Sequence, residues 1–309
     1  MMNAGVTVVD TYRDGGDNFT LRKKNNLSPG SSITILHIDD EPDFLELSKI
    51  YLEKEHGTFM VNTAASAREA LKKLEKGSNI DVIIADYKMP GMDGLQFLET
   101  LRKKDSSIPF IFFTGKGGEE VAIKALNLGA TYYVRKGGDP KLLYCILSRA
   151  IINAVEFRRS QIALKEANQL LETIFEHTHV MVAYMDSQFN FRRVNRAYAL
   201  ADGKEPAVFP GKNHFDLYPN VENETIFKRV VETGKPHFSF AKAFEYAEHP
   251  ERGTSYWDWS LVPIKRGQNE VTGLILTLQD VTARVMAERK LLQQRETRLR
   301  IIHGKKKEP

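Results

Sequence analysis

The sequence predicts two domains in tandem, an α/β domain with a parallel sheet followed by an α+β domain with an antiparallel sheet. Between residues 33 and 150, five short apolar segments alternate with helical segments, which is typical of a parallel sheet. Residues 180–282 instead contain two short strands, small helices and three longer strands. The length of 309 residues, with 42% hydrophobic content, is sufficient to bury more than one core.

The composition argues against several classes of protein. The net charge is +4, and the basic excess lies in segments such as LRKKNN and HGKKKEP rather than on a face interleaved with aromatic residues, so we expect no nucleic-acid binding. Cys145 is the single cysteine, which excludes an internal disulfide and a cysteine-rich zinc site. A membrane helix needs about 20 consecutive apolar residues, and no stretch of the sequence approaches that length. We also recognise no secretion signal at the N-terminus. We therefore expect a cytoplasmic protein without membrane insertion.

The first domain is predicted element by element. Residues 1–32 are rich in Gly, Asn, Asp and Lys and predict a flexible leader. Strands are then expected near residues 33–38, 59–63, 81–85, 109–113 and 131–135. The segments between them predict helices, namely EPDFLELSKIYLEKEH, SAREALKKLEKG, DGLQFLETLRKK and GEEVAIKALNLGA. This alternation indicates right-handed crossovers between parallel strands.

A long segment without Pro or Gly follows Pro140 and extends to about residue 178. Apolar residues recur in it at seven-residue spacing, at Leu143, Ala150, Phe157, Leu164 and Leu171. A second set of heptad positions, each three residues after the first, contains Ile146, Asn153, Ser160, Ala167 and Ile174. Asn153 is suited to setting the register of a coiled coil. The pattern predicts a dimeric coiled coil. The alternative is a last helix that packs on its own sheet and continues as a solvated linker.

The second domain begins with two short strands around a turn, VMVAYMD and FNFRRVN. Broken helix and loop follow, and then a helix, NETIFKRVVETGKP, that ends at Gly-Lys-Pro. Three strands complete the predicted sheet, namely HFSFAKAFEYAE, TSYWDWSLVPIKRG and VTGLILTLQDVT. A further helix is predicted from about residue 283, with Val285, Leu292 and Leu299 at heptad spacing, before a basic tail.

Acidic residues follow two of the predicted parallel strands. Asp86 comes directly after IIA, and Asp39 with Asp40 come directly after ITILHI. The carboxyl ends of parallel strands form the edge where α/β sheets bind ligands, so these carboxylates are expected to lie together. Carboxylates so close repel one another and require a cation, and a hard divalent ion such as Mg²⁺ suits oxygen ligands.

The two remaining strand ends supply groups that suit a phosphoryl ligand. Thr114 ends FIFFT with a hydroxyl, and Lys136 follows YYVR with a positive charge. An Asp nucleophile, a hydroxyl and a lysine at one edge of a sheet indicate phosphoryl transfer. Taken singly, Asp86 is also typical of a helix cap or turn, and Lys136 of a solvated surface lysine. The combination of four elements in this order favours a site.

These residues resemble the receiver domain of two-component response regulators, through DDEP, DYKMPGMDG, FFTGKG and YYVRKGG. The resemblance covers residues 33 to about 150 and implies a flavodoxin-like fold with strand order 2-1-3-4-5. It implies that Asp86 is the phosphoacceptor. It also implies that Asp39, Asp40, Asp86 and the backbone carbonyl of Lys88 bind Mg²⁺, with Asp40 the more direct ligand of the acid pair.

The same resemblance implies a switch around the phosphoryl group. Thr114 would bond to that group, Lys136 would pair with it, and Tyr133 would turn inward when Thr114 moves. A tyrosine in a strand is also typical of simple packing. One departure from the family is that Gly137 follows the lysine where the family usually has proline, which is delayed here to Pro140, as in archaeal regulators.

Residues 170–283 resemble a PAS domain, through RVNRAYA, YWDWSLVPI and GLILTLQDVTARVMAERKL. Trp257 and Trp259 share one face of a predicted strand, and core or dimer packing is favoured over ligand contact for both. The sequence identifies no PAS ligand. We expect no flavin adduct, since the module has no cysteine. We expect no haem, since the helix NETIFKRVVETG has no histidine and His214 and His237 outside it are typical polar residues.

The sequence therefore predicts a response regulator that acts in phosphorelay signalling. A partner histidine kinase would phosphorylate Asp86, and the change would pass through a helix to a PAS dimer and an unidentified downstream protein. No kinase catalytic or DNA-binding region is recognised, so the chain is not expected to be an enzyme beyond catalysing its own phosphorylation and dephosphorylation. The alternative is the receiver and PAS part of a hybrid histidine kinase. The expected limits are a leader at 1–32, receiver at 33–150, helical linker at 151–172, PAS domain at 173–283, and C-terminal helix and tail at 284–309.

Overall fold

The computed structural model describes residues 32–77, 79–104, 107–115, 118–245, 253–267 and 270–304. Nearly all of the predicted leader, and the basic tail from residue 305, lie outside the described residues. The chain divides into two compact units, with the division between Glu166 and Ala167. The predicted limits of the finer segments stay a prediction.

The first unit contains a five-stranded parallel sheet flanked by helices. Its elements are β1 (Ile33–Ile38), α1 (Pro42–Glu55), β2 (Phe59–Ala64), α2 (Ala67–Glu75), β3 (Val82–Ala85), α3 (Gly94–Lys103), β4 (Phe110–Thr114), α4 (Glu119–Asn127), β5 (Tyr132–Arg135) and α5 (Pro140–His177). The strand order is β2-β1-β3-β4-β5, and every pairing in it is parallel. The predicted strands and their order 2-1-3-4-5 are confirmed.

Apolar residues on both faces of the strands account for this layered fold. All residues of β3 and β4 are buried, as expected for strands covered on two sides. Successive side chains point to opposite faces, so Phe112 packs in one core cluster and Phe113 in the other. Helix α3 covers the first face through Phe97 and Leu98, while α1 and α5 cover the second. Both faces of the sheet are therefore covered by helices, and its carboxyl edge lies between these two layers.

Helix α5 is continuous over 38 residues. Its first turns pack on the sheet of the first unit, where Leu147 and Ile151 are buried. Of the heptad positions, Ala150 is buried in the same cluster, so this part of the helix follows the alternative of packing on its own sheet. Phe157, Leu164 and other apolar residues further along are more than half exposed. The predicted coiled coil stays a prediction for that exposed part only.

The second unit contains a five-stranded antiparallel sheet with helices. Its elements are β6 (Met181–Asp186), β7 (Phe191–Val194), α6 (Arg196–Ala201), a 3₁₀ turn (Pro206–Val208), α7 (His214–Leu217), α8 (Val221–Thr233), β8 (His237–Glu245), β9 (Thr254–Arg266), β10 (Glu270–Asp280) and α9 (Thr282–Gly304). The strand order is β7-β6-β10-β9-β8, with antiparallel pairing throughout. The predicted α+β class is confirmed.

Side-chain oxygens of asparagine residues cap the N-terminal ends of helices in this unit. The side chain of Asn195 accepts from the backbone N–H of Tyr198 at the start of α6, and that of Asn220 accepts from Asn223 at the start of α8. Gly234 ends α8 in the left-handed conformation, with φ of 61°. Helix α9 begins against β9, where Val281 and Val285 pack on Tyr256. Within the described part of the chain, no helix combines the length and apolar character needed to cross a membrane.

Candidate functional site

Two buried carboxylates lie at the carboxyl edge of the parallel sheet. Asp39 and Asp86 directly follow the neighbouring strands β1 and β3, and both are buried. Their backbone amides continue the sheet, since Asp39 N–H donates to Ala64 O at 3.1 Å and Asp86 N–H donates to Ile38 O at 2.9 Å. The ladder thus fixes both carboxylates at one edge, as the strand ends predicted.

Lys136 joins the two carboxylates. Its Nζ lies 2.5 Å from Asp39 Oδ2 and 3.4 Å from Asp86 Oδ1. The same ammonium group stands over the ring of Phe44, 4.1 Å from the centroid, which orients it through a cation–π contact. The backbone holds the lysine in place as well, because Lys136 N–H donates to Thr114 O at 2.8 Å. Lys136 is thus part of the site and not a solvated surface lysine.

The electrostatics of this edge favour an added cation. Burial raises the pKa of the Asp39 carboxyl, and the hydrogen bond from Lys136 opposes that rise. Two buried carboxylates face one ammonium, and Asp40, exposed beside them in the chain, adds a third negative charge. Carboxylate oxygens of this kind are the ligands that a hard divalent cation such as Mg²⁺ prefers.

The predicted Mg²⁺ ligands are not all gathered in one place. Among the residues that the structure describes, no three or more His, Cys, Asp or Glu side chains are grouped closely enough to hold a metal ion by themselves. The backbone N–H of Lys88 donates to Asp86 Oδ2 at 3.1 Å, so the amide of Lys88 lies beside the Asp86 carboxylate. The ligand set of Asp39, Asp40, Asp86 and the Lys88 carbonyl stays a prediction.

The loop after Asp86 is shaped by a glycine. A Cβ on Gly94 would lie 2.5 Å from Asp86 O and 2.7 Å from a ring carbon of Phe112, so only glycine fits there. Asp93 caps α3 and forms a reciprocal pair with Gln96, whose side chain accepts from the Asp93 amide. Asp93 therefore serves the helix start, which separates its role from that of Asp86.

Thr114 and Tyr133 occupy the two neighbouring strands. Thr114 is the last residue of β4 and is buried. Tyr133 of β5 is buried as well, with its ring packed at 6.1 Å from Phe112. Its hydroxyl has no hydrogen-bond partner among the described residues, and burial raises its pKa. The ring is thus turned inward in this structure, while its role as a switch stays a prediction.

Sequence reasoning missed two residues around Lys136. The ring of Phe44, on α1, contacts the ammonium group of Lys136. Because the two residues are far apart in sequence, no local pattern indicates this contact. His37 is fully buried in β1, and neither ring nitrogen has a partner among the described residues. Burial, followed by the charge of Lys136, lowers the pKa of His37 to about 3. The only available signal was an imidazole in a strand whose other residues, apart from Thr34, are aliphatic.

A cavity of about 510 Å³ opens in the second unit. Buried aromatic and aliphatic side chains form its inner wall, including Phe227, Trp259 and Leu276. Trp257 lines it too, so the two tryptophans share a face as predicted. Trp259 also belongs to the core cluster, which bears out core packing for that residue, yet both rings face the cavity. For Trp257, core or dimer packing stays a prediction.

The histidines of this unit differ in their surroundings. His214 lines the cavity and is only 8% exposed, with its ring stacked on Phe227 at 5.2 Å. Its Nδ1 has no partner among the described residues, and burial lowers its pKa to about 4. His237 packs its ring at 4.8 Å from Trp259. His214 is therefore a buried histidine, and the prediction that His214 and His237 are ordinary polar residues and not haem ligands stays a prediction.

The end of α5 is tied to the second sheet by ion pairs. Arg193 of β7 pairs with Glu172 and, at 2.7 Å, with Glu176. Its guanidinium stands 4.3 Å from the ring centroid of Phe175, and the two carboxylates raise its pKa. Since α5 also packs on the first sheet, one helix contributes to both units.

Comparisons with known proteins match two parts of the chain. Residues 35–148 match the family model of the response regulator receiver domain, and residues 175–286 match a model described as PAS fold. The response regulator SaeR of Staphylococcus epidermidis is 37% identical over 109 residues, which is 35% of this chain and 46% of that protein. SaeR of Staphylococcus aureus is 35% identical over the same length. The chain thus spans just under half of the length of these curated relatives.

Solved structures of receiver domains are similar to part of this chain. A response regulator receiver domain protein from Clostridium thermocellum is 35% identical, with 42% of this chain and 98% of that chain covered and a TM-score of 0.38. A CheY-like receiver domain protein from Methanospirillum hungatei is 30% identical, with 41% and 98% covered and a TM-score of 0.37. The predicted order of a receiver domain followed by a PAS domain is confirmed by the two family models.

Proposed function

We propose that this chain, which carries a response regulator receiver domain followed by a PAS domain, accepts a phosphoryl group on Asp86 from a partner histidine kinase. The observation that carries the proposal is the convergence of Asp86, Asp39 and Lys136, with Lys136 Nζ within 3.4 Å of both carboxylates. The oxygens of a phosphoryl group on Asp86 would lie next to the Lys136 ammonium group. Positive charge close to the attacking carboxylate stabilises the negative charge on the oxygens of the transferred group.

The chemistry assigned to Asp86 is an in-line displacement. A carboxylate oxygen of Asp86 attacks phosphorus, a P–O bond forms, and the P–N bond to the donor imidazole breaks as that imidazole leaves with the bonding electron pair. Lys136 and the Thr114 hydroxyl bind oxygens of the transferred group. Bound Mg²⁺ would supply additional positive charge for these oxygens. Asp39 holds Lys136 in place until the phosphoryl group competes for it.

Relay of the phosphorylated state is assigned to a shift between two receiver conformations. Lys136 would turn from Asp39 toward the phosphoryl group, and Thr114 would follow. Tyr133 of the next strand would turn inward as Thr114 moves. Helix α5 begins four residues after Lys136, which supports it as the element that transmits the change toward the PAS domain.

Dimerisation of the chain is proposed to occur through the exposed part of α5. Phe157, Leu164 and Leu171 are 60%, 56% and 64% exposed at heptad spacing, and a second copy of the same helix would cover them. Sedimentation of Leu164→Asp tests this, with Gln169→Asp as a control, because Gln169 is also exposed and lies on the opposite side of the heptad. Leu164→Asp is expected to shift the protein to monomers and Gln169→Asp to leave dimers. Equal behaviour of the two variants would contradict the helix interface.

The experiment that tests phosphoryl transfer is intact-protein mass after incubation with acetyl phosphate, with and without Mg²⁺. We expect one phosphoryl group that requires Mg²⁺ and is absent from Asp86→Asn. Lys136→Arg serves as the matched variant, since it keeps the charge but changes the geometry. An adduct that persists in Asp86→Asn would refute the assignment of the acceptor.

A further inference from the structure

The ammonium group of Lys136 is held by two kinds of contact. It pairs with the carboxylates of Asp39 and Asp86, and it also lies 4.1 Å from the centroid of the Phe44 ring. The ring of Phe113 is further away, at 5.8 Å. Both distances fall within the range of about 6 Å over which the negative face of an aromatic ring attracts a cation. Carboxylates and aromatic rings therefore bind this ammonium group together.

The two rings belong to an aromatic cluster that packs against the core. The ring centroids of Phe44 and Phe113 are 5.7 Å apart, and that of His37 lies 6.2 Å from each of them. His37 and Phe113 are fully buried, and Phe44 packs on the core cluster that α1 and α5 cover. Because buried neighbours hold the Phe44 ring, we do not expect this ring to follow the ammonium group when that group moves.

A phosphoryl group on Asp86 would draw the ammonium group away from the Phe44 ring. The phosphoryl group would extend outward from the carboxyl edge of the sheet, whereas the ring packs inward on the core. Lys136 Nζ lies 3.4 Å from Asp86 Oδ1, and the phosphoryl oxygens would be further out than this carboxylate oxygen. Since the attraction between a cation and a ring weakens with distance, pairing with these oxygens reduces the contact with Phe44.

We propose that Phe44 is a positioning residue that holds Lys136 in its unphosphorylated position and thereby favours the unphosphorylated state of the receiver. A contact made in one of two states favours that state by the free energy of the contact. The Lys136 side chain is 17% exposed, so the contact is largely shielded from water. Its loss corresponds to about fivefold in an equilibrium constant, or about 1 kcal/mol.

The inference deepens the proposed function, on which it rests for the attachment of the phosphoryl group to Asp86. The contact between Phe44 and Lys136 itself does not depend on that function. Phe44 acts through Lys136 and not on the phosphoryl group, so the tests must separate the electrostatic effect of the ring from its packing.

Fluorinated phenylalanines at position 44 separate these two effects. Fluorine withdraws electron density from the face of the ring, so mono-, di- and trifluorinated rings attract a cation progressively less while their shape is nearly kept. Calorimetric titration of the full chain with beryllium fluoride, a mimic of the phosphoryl group, in the presence of Mg²⁺ measures the consequence. We expect the affinity to rise with each fluorine, to about fivefold for the trifluorinated ring.

Two comparisons control this titration. Phe59 lies in the same core cluster but begins β2 at the amino edge of the sheet, so the same fluorinated rings at position 59 should leave the affinity unchanged. Phe44→Tyr keeps an aromatic face and should bind beryllium fluoride like the unmodified protein, whereas Phe44→Leu should bind it about fivefold more tightly.

A double-mutant cycle tests the contact without any phosphoryl mimic. Urea unfolding would compare Phe44→Leu, Lys136→Met and the double variant in the absence of divalent cations. We expect the effects of the two substitutions on the folding equilibrium constant to be coupled by about fivefold, or about 1 kcal/mol. Additive effects would show that the ring and the ammonium group do not interact, which would overturn the proposal.

Other outcomes would also overturn the proposal. These are an affinity for beryllium fluoride that stays constant or falls as fluorine is added at position 44, and an equal rise when fluorine is added at position 59. Failure of the proposed function gives a different result, because the unmodified chain would then bind no beryllium fluoride while the coupling in urea persists. That result would refute attachment at Asp86 and, with it, the effect of Phe44 on the phosphorylated state.

Discussion

Replacement of Lys136 by Met is expected to destabilise the receiver domain by about 3 kcal/mol at neutral pH without added divalent cation. The Asp39 side chain is 1% exposed and that of Lys136 is 17% exposed, so the substitution leaves a buried carboxylate without its partner. Loss of one partner of a buried pair costs about 3–5 kcal/mol, and the partial exposure of Lys136 indicates the lower end of this range.

The effect of Lys136→Met is expected to depend on pH. Burial already raises the pKa of Asp39 above its usual value, and loss of the ammonium removes the interaction that opposes the rise. A carboxyl whose folded-state pKa is raised stabilises the fold only at low pH, and that stability is lost as pH rises through the folded-state pKa. The destabilisation is therefore expected at neutral pH and should shrink as the pH approaches about 4, the pKa of an unfolded Asp.

A double-mutant cycle measures the interaction directly. Urea unfolding followed by circular dichroism would compare Lys136→Met, Asp39→Asn and the double variant, and we expect a coupling free energy of at least about 2 kcal/mol. Lys103→Met is the matched control, because Lys103 pairs with Glu99 at an exposed position and should contribute less than about 1 kcal/mol. Additivity of the two single effects within about 0.5 kcal/mol would refute the reasoning.

Three further variants test the packing and protonation that the structure shows. Gly94→Ala is expected to lower the free energy of unfolding by about 1–3 kcal/mol in urea, because its Cβ would lie 2.5 Å from Asp86 O. Gly57→Ala, with open space around the added methyl group, should lower this free energy far less. Tyr133→Phe removes a buried hydroxyl without a partner and should leave the thermal midpoint unchanged or raised. Burial lowers the pKa of His214 to about 4, so the free energy of unfolding of the PAS domain should fall by about 2 kcal/mol between pH 7 and pH 5. His214→Leu should remove this fall, as measured by urea unfolding followed by tryptophan fluorescence.

Each of these expectations has a contradicting result. Equal stability of the two alanine variants would show that the loop around Gly94 can move away from an added methyl group. A clear loss of stability in Tyr133→Phe would show that the hydroxyl has a partner in solution. An unchanged pH dependence in His214→Leu would show that this histidine is not buried in its neutral form, while His179→Leu, at an exposed position, should leave that dependence intact.

The fold was predictable because its signals are local in the sequence. Apolar runs that end on Asp39, Asp86 and Thr114 mark strands covered on both faces, and alternation with helices fixes the parallel arrangement. Parallel strands align their carboxyl ends, so the convergence of the acidic residues followed from the same pattern. The order of strands came from the resemblance to receiver domains and is confirmed by the sheet.

The remaining features depend on contacts between distant segments. Phe44 reaches Lys136 across the fold, and no spacing in the sequence predicts a cation–π contact over such a separation. The heptad in α5 has one period throughout, yet its first part packs on the sheet while Leu164 is exposed, because burial depends on what lies next to the helix. Likewise, the burial of His214 Nδ1 and Asn223 Oδ1 without a hydrogen-bond partner among the described residues is a property of the assembled second unit.

The central claim is that Asp86 carries an acyl phosphate, and reductive mapping of the modified residue tests it most directly. Borohydride reduces an aspartyl phosphate to homoserine and leaves free aspartate unchanged. After treatment with acetyl phosphate and Mg²⁺, followed by borohydride and proteolysis, peptide masses should show homoserine at position 86 and unmodified Asp39, Asp40 and Asp93. Homoserine at any of those three positions, or none at position 86 in a protein that gained a phosphoryl group, would contradict the account.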